Sequence, residues 1–240
     1  MSEPIDPPEP REPRDATIPS PTDGARLFVG VPVAAAVAGE LAATCESLAR
    51  RATAQQVALR WLPPTTYHVT LRYLGWTRRE AVPAIDLAIR RAVASVKMTS
   101  LRFRAERLGA FASIAKATVV WAGVEDGGAL ATLARALEHE LVPLGFAPER
   151  RAFHPHVTLA RLREPTNVDH VLLPFAEQVF SETRCDSVVL FESVTKPEGS
   201  IYRPVRHVPI SGPISALQRQ SEPVQPAPLD ASPGSDDGWK

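Results

Sequence analysis

Apolar and polar residues alternate through two stretches, 66–74 and 150–162, and each contains the same four residues. They are His68-Val69-Thr70-Leu71 and His156-Val157-Thr158-Leu159, 88 positions apart. A strand has a side-chain period of two, so in each copy the histidine and threonine share one face while valine and leucine share the other. Both stretches predict strands with an apolar side for a core and an imidazole-plus-hydroxyl side left over. Between and around them the pattern predicts further elements. Residues 27–31 form a strand ended by Pro32, and 33–53 a helix with Leu41, Cys45 and Leu48 on one stripe. Residues 57–62 form a short strand, and Pro63-Pro64 force an extended turn before the first tetrad.

Gly75 is expected to stop that strand, and Thr77-Arg78-Arg79-Glu80 has the spacing of a capping box with Thr77 as N-cap. The helix it opens runs to about Val96 with Ile85, Ile89 and Val93 inward. Strands follow at 101–108 and 117–124, separated by a loop holding Gly109-Ala110-Phe111, with Phe111 a candidate exposed aromatic. A turn at Asp126-Gly127-Gly128 leads into a helix over 129–142, with Gly145 near its end. After the second tetrad strand, Asn167 or Asp169 opens a brief helical piece, and strands at 186–193 and 202–210 close the body. This order predicts an α+β fold, bilobal, with two antiparallel sheets from pseudo-duplicated halves facing a central cleft and helices on the outer faces. No glycine-rich loop has the spacing of a nucleotide-triphosphate or dinucleotide site.

Composition changes this picture at the ends. Residues 1–24 hold seven prolines and almost no bulky apolar side chains, and 212–240 is a Gln/Pro/Ser/Asp mixture. Both are expected to be disordered tails around a folded domain of 25–211. The formal net charge of +0 hides an asymmetry: the tails are acidic, and 25–211 carries 23 basic against 17 acidic residues. A basic body suits an anionic partner such as a phosphate ester or RNA. Two cysteines without metal or disulfide spacing fit a reducing cytoplasm. No apolar run reaches the roughly 18–20 residues of a membrane span. The chain is expected to be cytoplasmic, off the membrane and monomeric.

Two imidazoles and two hydroxyls across a cleft suit attack of water on a phosphodiester. One neutral histidine accepts a proton and one protonated histidine donates to the departing oxygen, since the unperturbed pKa of about 6.5 allows both forms. The residues alone leave open which histidine does which. Thr70 and Thr158 can donate hydrogen bonds to the non-bridging oxygens. Arg161 is a candidate phosphate clamp, although its odd offset from His156 turns it to the other face unless a bulge or strand end intervenes. Arg72 has the right parity for the cleft. Tyr202 and Phe111 are candidates to stack a base. His154 stands beside Pro155 with no acidic or cysteine ligand near, which argues against a zinc site. The scheme needs no metal and no cofactor.

Trp61-Leu62-Pro63-Pro64 followed by His68-Val69-Thr70-Leu71-Arg72-Tyr73-Leu74-Gly75 resembles the first signature of the two-histidine (2H) phosphoesterases. Phe153-His154-Pro155-His156-Val157-Thr158-Leu159-Ala160-Arg161 resembles the second, in the version of the LigT/ThpR-type RNA 2′,3′-cyclic phosphodiesterases. Similarity extends over about 26–210. The resemblance implies metal-independent opening of an RNA 2′,3′-cyclic phosphate to a 2′-phosphomonoester, with RNA ends or cyclic nucleotides as substrate. It implies His68 as proton donor to the 3′ oxygen and His156 as the acceptor that activates water. His154 stands where relatives often carry arginine. Beside this reading stand other activities of the same family, namely 2′-5′ RNA ligation or cleavage of 2′-5′ oligonucleotides or an ADP-ribose cyclic phosphate. A non-catalytic RNA- or nucleotide-binding module is a further alternative.

Overall fold

A computed structural model describes residues 23–196 and 199–210. The chain begins with β1 (Gly24–Pro32), α1 (Ala35–Ala54), β2 (Arg60–Trp61), β3 (His68–Arg78) and α2 (Val82–Ser95). It continues through β4 (Leu101–Phe111), β5 (Ala117–Glu125), α3 (Ala129–Leu141) and β6 (His156–Thr166). It ends with α4 (Asp169–Leu172), β7 (Val179–Cys185), β8 (Ser187–Lys196) and β9 (Gly199–Pro209). Apart from Asp23 and Gly24, both predicted tails lie outside the described residues, and Gly24 already belongs to β1, where it pairs with Arg78.

The strands form a curled antiparallel sheet in the order β7-β4-β5-β6-β3-β1-β8-β9, with β2 beside β6. The two sheets expected from the sequence are joined into one. The β7-β4-β5-β6 half meets the β3-β1-β8-β9 half at a single Cα pair, Val69 with Val157. The seam therefore runs between the two tetrads. The halves also interleave in sequence, because β8 and β9 return to pair beside β1. One face of the sheet packs on the helices. Val69, Leu71, Val157 and Leu159 are buried there, and α3 packs against both β3 and α2. Among the described residues no helix is long and apolar enough to cross a membrane.

Several local expectations are corrected. Gly75 does not stop β3: at φ 71° it sits beside a register shift, and the strand continues to Arg78 against Gly24, Ala25 and Arg26. Thr77 is thus buried in the ladder and caps nothing, while Glu80 pairs with Arg78. The following helix starts at Val82 with Pro83 in its first turn, where a missing N–H costs no intrahelical bond. Gly109-Ala110-Phe111 belongs to β4, not to a loop. The predicted strand at 57–62 contracts to Arg60–Trp61. β7 went unpredicted, because its Ser181-Glu182-Thr183-Arg184 run is polar, as an edge strand's often is.

Arg72 lies on the helix side. It is 9% exposed and forms an ion pair with Glu138 of α3 at 2.7 Å, and it donates to the carbonyls of Tyr73 and Ala147. Replacing Arg72 with alanine leaves Glu138 and two carbonyls without this partner. The expected loss is about 2–4 kcal/mol of stability, read as a lower urea midpoint at unchanged slope.

Candidate active site

The two tetrads come together because β3 and β6 run antiparallel through the Val69–Val157 pair. That register sets Thr158 opposite His68 and His156 opposite Thr70. All four side chains are half-buried on the face away from the helices.

Each histidine is held by the chain just before it. Pro63-Pro64 lead into one 3-10 turn in which the Thr66 N–H and hydroxyl both donate to the Pro63 carbonyl. This fixes the Thr66 carbonyl 2.7 Å from His68 Nδ1. In the second copy Pro155 restricts His154 to an extended backbone, and the His154 carbonyl stands 2.7 Å from His156 Nδ1. A carbonyl only accepts, so both Nδ1 atoms carry hydrogen, and in the neutral ring each Nε2 is the basic nitrogen. His68 Nε2 lies 3.0 Å from Thr70 Oγ1.

Aromatic rings frame each imidazole. Phe28 (4.8 Å between centroids), Phe191 (5.8 Å) and Tyr202 (5.0 Å, edge-on) surround His68. Phe111 meets His156 edge-on at 4.9 Å and Trp121 lies at 6.4 Å. Tyr202 and Phe111, predicted as base-stacking candidates, thus occupy matching places against the two histidines. His154 packs on Trp121 at 5.1 Å and Phe111 at 5.5 Å. β1 passes close beneath His68. A Cβ at Gly30 would stand 2.8 Å from the Val69 carbonyl oxygen and 3.4 Å from the His68 ring, which only glycine avoids.

Burial among these rings pulls the His68 pKa down to about 4. The hydrogen bond to the Thr66 carbonyl opposes that shift, and the charges of His156 and Arg161 reinforce it. The ring is neutral at pH 7 before any ligand arrives.

The same coupling places Arg161 within electrostatic reach of His68. A bulge explains how. The β5–β6 register shifts between Val120–Ala160 and Trp121–Thr158, so Leu159 and Ala160 are buried in succession and Arg161 returns to the histidine face. β3 shifts at the matching place, between Thr70 and Arg72, which turns Arg72 toward α3 and out of the cleft. Sequence reasoning missed Phe28 and Phe191, and it missed Arg60, which pairs across the ladder with Arg161. Among the described residues no group of three His, Cys, Asp or Glu side chains is arranged to hold a metal ion.

Similar proteins carry the same architecture. A curated protein of Aeropyrum pernix named RNA 2′,3′-cyclic phosphodiesterase is 30% identical over 174 residues, 71% of this chain and 94% of the relative. A protein of the same name from Archaeoglobus fulgidus is 28% identical over 60% of this chain and 79% of its own length. Among solved structures, TT0787 of Thermus thermophilus superposes with a TM-score of 0.61 at 24% identity, over 78% of this chain and 99% of that one. E. coli LigT complexed with 3′-AMP gives 0.58 at 20% identity over 78% and 98%, a likeness of fold. The family model of the 2′-5′ RNA ligase superfamily matches residues 27–197, and the chain belongs to that superfamily, the 2H phosphoesterases that its paired tetrads resemble.

Proposed function

We propose that this protein hydrolyses RNA 2′,3′-cyclic phosphodiester ends to a 2′-phosphomonoester, with His68 and His156 as its proton-transfer pair. The observation that carries the reading is the presentation of two Nε2 atoms, tautomers held by backbone carbonyls, on one face across a single strand seam. The names of the curated relatives support the substrate class.

Water attacks phosphorus, the bond from phosphorus to O3′ breaks, and the ring keeps its 2′ ester bond. One imidazole takes the proton of water as the other gives a proton to O3′. Thr70 and Thr158 donate to the non-bridging oxygens, and Arg161 balances their growing charge. His68 takes the donor role and His156 the acceptor role, as the motif order implies. Because His68 is neutral in the free protein, the arriving phosphate anion must favour its protonated form before it can donate.

We read residues 25–211 as the working unit, two lobes that meet at the β3–β6 seam. We infer that it acts as a monomer in the cytoplasm, a reducing compartment that two buried free thiols suit. The test is turnover of 2′,3′-cyclic AMP and of a cyclic-phosphate-ended oligonucleotide in EDTA, with the product identified. The 2′-phosphate is the expected product. A 3′-phosphate, or no turnover of either substrate, defeats the reading.

A further inference from the structure

A hollow of about 360 Å³ opens beside His154, lined by Glu106, Arg107, Trp121, Gly123, His154 and Pro155 among others. Its size falls in the usual range of small-molecule sites, roughly 300–1,000 Å³. The register of three strands explains its floor. His156 of β6 pairs with Gly123 of β5, and Gly123 pairs with Glu106 of β4. These positions form one row across the sheet, and the middle one carries no side chain. A Cβ at Gly123 would stand 2.9 Å from the Glu106 carbonyl oxygen and 3.3 Å from the Trp121 ring, so glycine keeps the row open. The Trp121 and His154 rings, 5.1 Å apart, wall the opening with flat aromatic surface.

Glu106 faces this opening because β4 bulges next to it. Gly109 pairs with Trp121 and Glu106 with Gly123, so three residues of β4 are matched by two of β5. The extra residue turns Glu106 onto the same face as Gly109, the histidine side. Arg107 absorbs the irregularity at φ 53°, a left-handed backbone uncommon outside glycine, and donates its N–H to the Gln178 carbonyl. The Glu106 side chain is 13% exposed and accepts from Arg107 at 2.7 Å and from Arg104 at 3.2 Å, one guanidinium on each oxygen. The two arginines hold the carboxylate in place. A carboxylate offers about four acceptor positions, of which these bonds use half.

We infer that this hollow binds the nucleobase of the nucleotide whose phosphate meets His156, and that it selects guanine. The inference rests on the function proposed above and adds to it the identity of the terminal base. The backbones at His156 and Glu106 stand two strand spacings apart, roughly 10 Å, a span that a nucleotide covers from phosphorus to the far edge of its base. Trp121 and His154 stack the ring. Guanine alone among the four bases presents two donors side by side, N1–H and the 2-amino group, and one carboxylate accepts both. Adenine and cytosine set an acceptor nitrogen beside the amino group, and uracil flanks its one N–H with carbonyls. Each of those edges turns a lone pair toward the carboxylate.

The test compares binding of guanosine, inosine and adenosine 2′-monophosphates by titration calorimetry at fixed salt. The guanosine compound is expected to bind about tenfold or more tighter than the adenosine one, as hydrogen bonds to a charged group would give. The inosine compound, which keeps N1–H and lacks the 2-amino group, should fall between them. Glu106→Gln is expected to bring guanosine and adenosine within about twofold, with adenosine affinity kept or improved, since an amide can donate to adenine N1. The inosine comparison uses the unaltered protein, so it stands even if Glu106→Gln costs stability. Equal or absent binding of guanosine and adenosine, guanosine no tighter than inosine, or a preference that survives in Glu106→Gln overturns the assignment. Because the readout is binding, a protein that prefers guanosine but turns over no cyclic phosphate keeps the base site and loses the proposed reaction. Turnover with equal affinities does the reverse.

Discussion

Alanine in place of either His68 or His156 is expected to lower turnover of a 2′,3′-cyclic phosphate by about 10²–10⁴, the usual worth of a positioned acid or base. The two losses should not add in the double variant, because removing one partner of a proton-transfer pair already disables the pair. Thr70, Thr158 and Arg161 remain in each single variant, so the loss should fall on kcat, with KM moved far less. Single-turnover assays separate this outcome from a binding protein, for which either histidine could go with affinity retained and no turnover to lose. Both variants fully active would remove the histidines from the chemistry. His68→Ala also empties part of the space among Phe28, Phe191 and Tyr202. Its melting temperature is therefore the necessary companion measurement, and His156→Ala, whose ring is less enclosed, is the cleaner of the two.

Much of this arrangement could be read from alternation alone, and it failed where alternation is broken. The tetrads placed His68, Thr70, His156 and Thr158 on one face because each strand is regular over those residues. Beyond them both strands bulge, after Thr70 in β3 and after Thr158 in β6. Parity counted from the histidines then gives the wrong face: Arg161 comes in and Arg72 goes out. The second copy carried a faint signal, since Leu159-Ala160 puts two apolar residues in succession. In the first copy the matching residue is Arg72, whose charge disguises a buried position paired with Glu138. Phe28 was illegible as a site residue because β1 is buried on both faces and shows no period. The sheet count failed for another reason. Two duplicated halves suggest two sheets, but whether their edge strands pair is decided by one contact, Val69 with Val157, which no local pattern encodes.

The acid limb of kcat/KM should lie near pH 4, well below that of an ordinary imidazole. kcat/KM reports the ionisations of the free protein, and one member of the pair must be neutral to accept the proton of water. Burial holds His68 neutral down to about pH 4, so the form with both rings protonated, which has no base, accumulates only below that. An imidazole left at about 6.5 would have lost roughly thirtyfold by pH 5. The limb belongs to the pair and not to one ring, so the expectation holds whichever histidine donates. Phe191→Ala, which lets water reach the ring, should move the limb up toward 6.5. A wild-type limb already at 6–6.5 would show that the rings do not enclose His68 in solution. The same shift acts on stability. Between about pH 6.5 and 4 the unfolded chain binds a proton at this position that the folded one refuses, so stability falls as pH falls through that window. Urea unfolding of the wild type at pH 7 and pH 4.5 should therefore differ by more than in His68→Ala, which has no imidazole there to protonate. On the proposed roles, the aromatic frame that keeps His68 from holding a proton alone would make its protonation depend on the phosphate anion, tying readiness for donation to the presence of substrate.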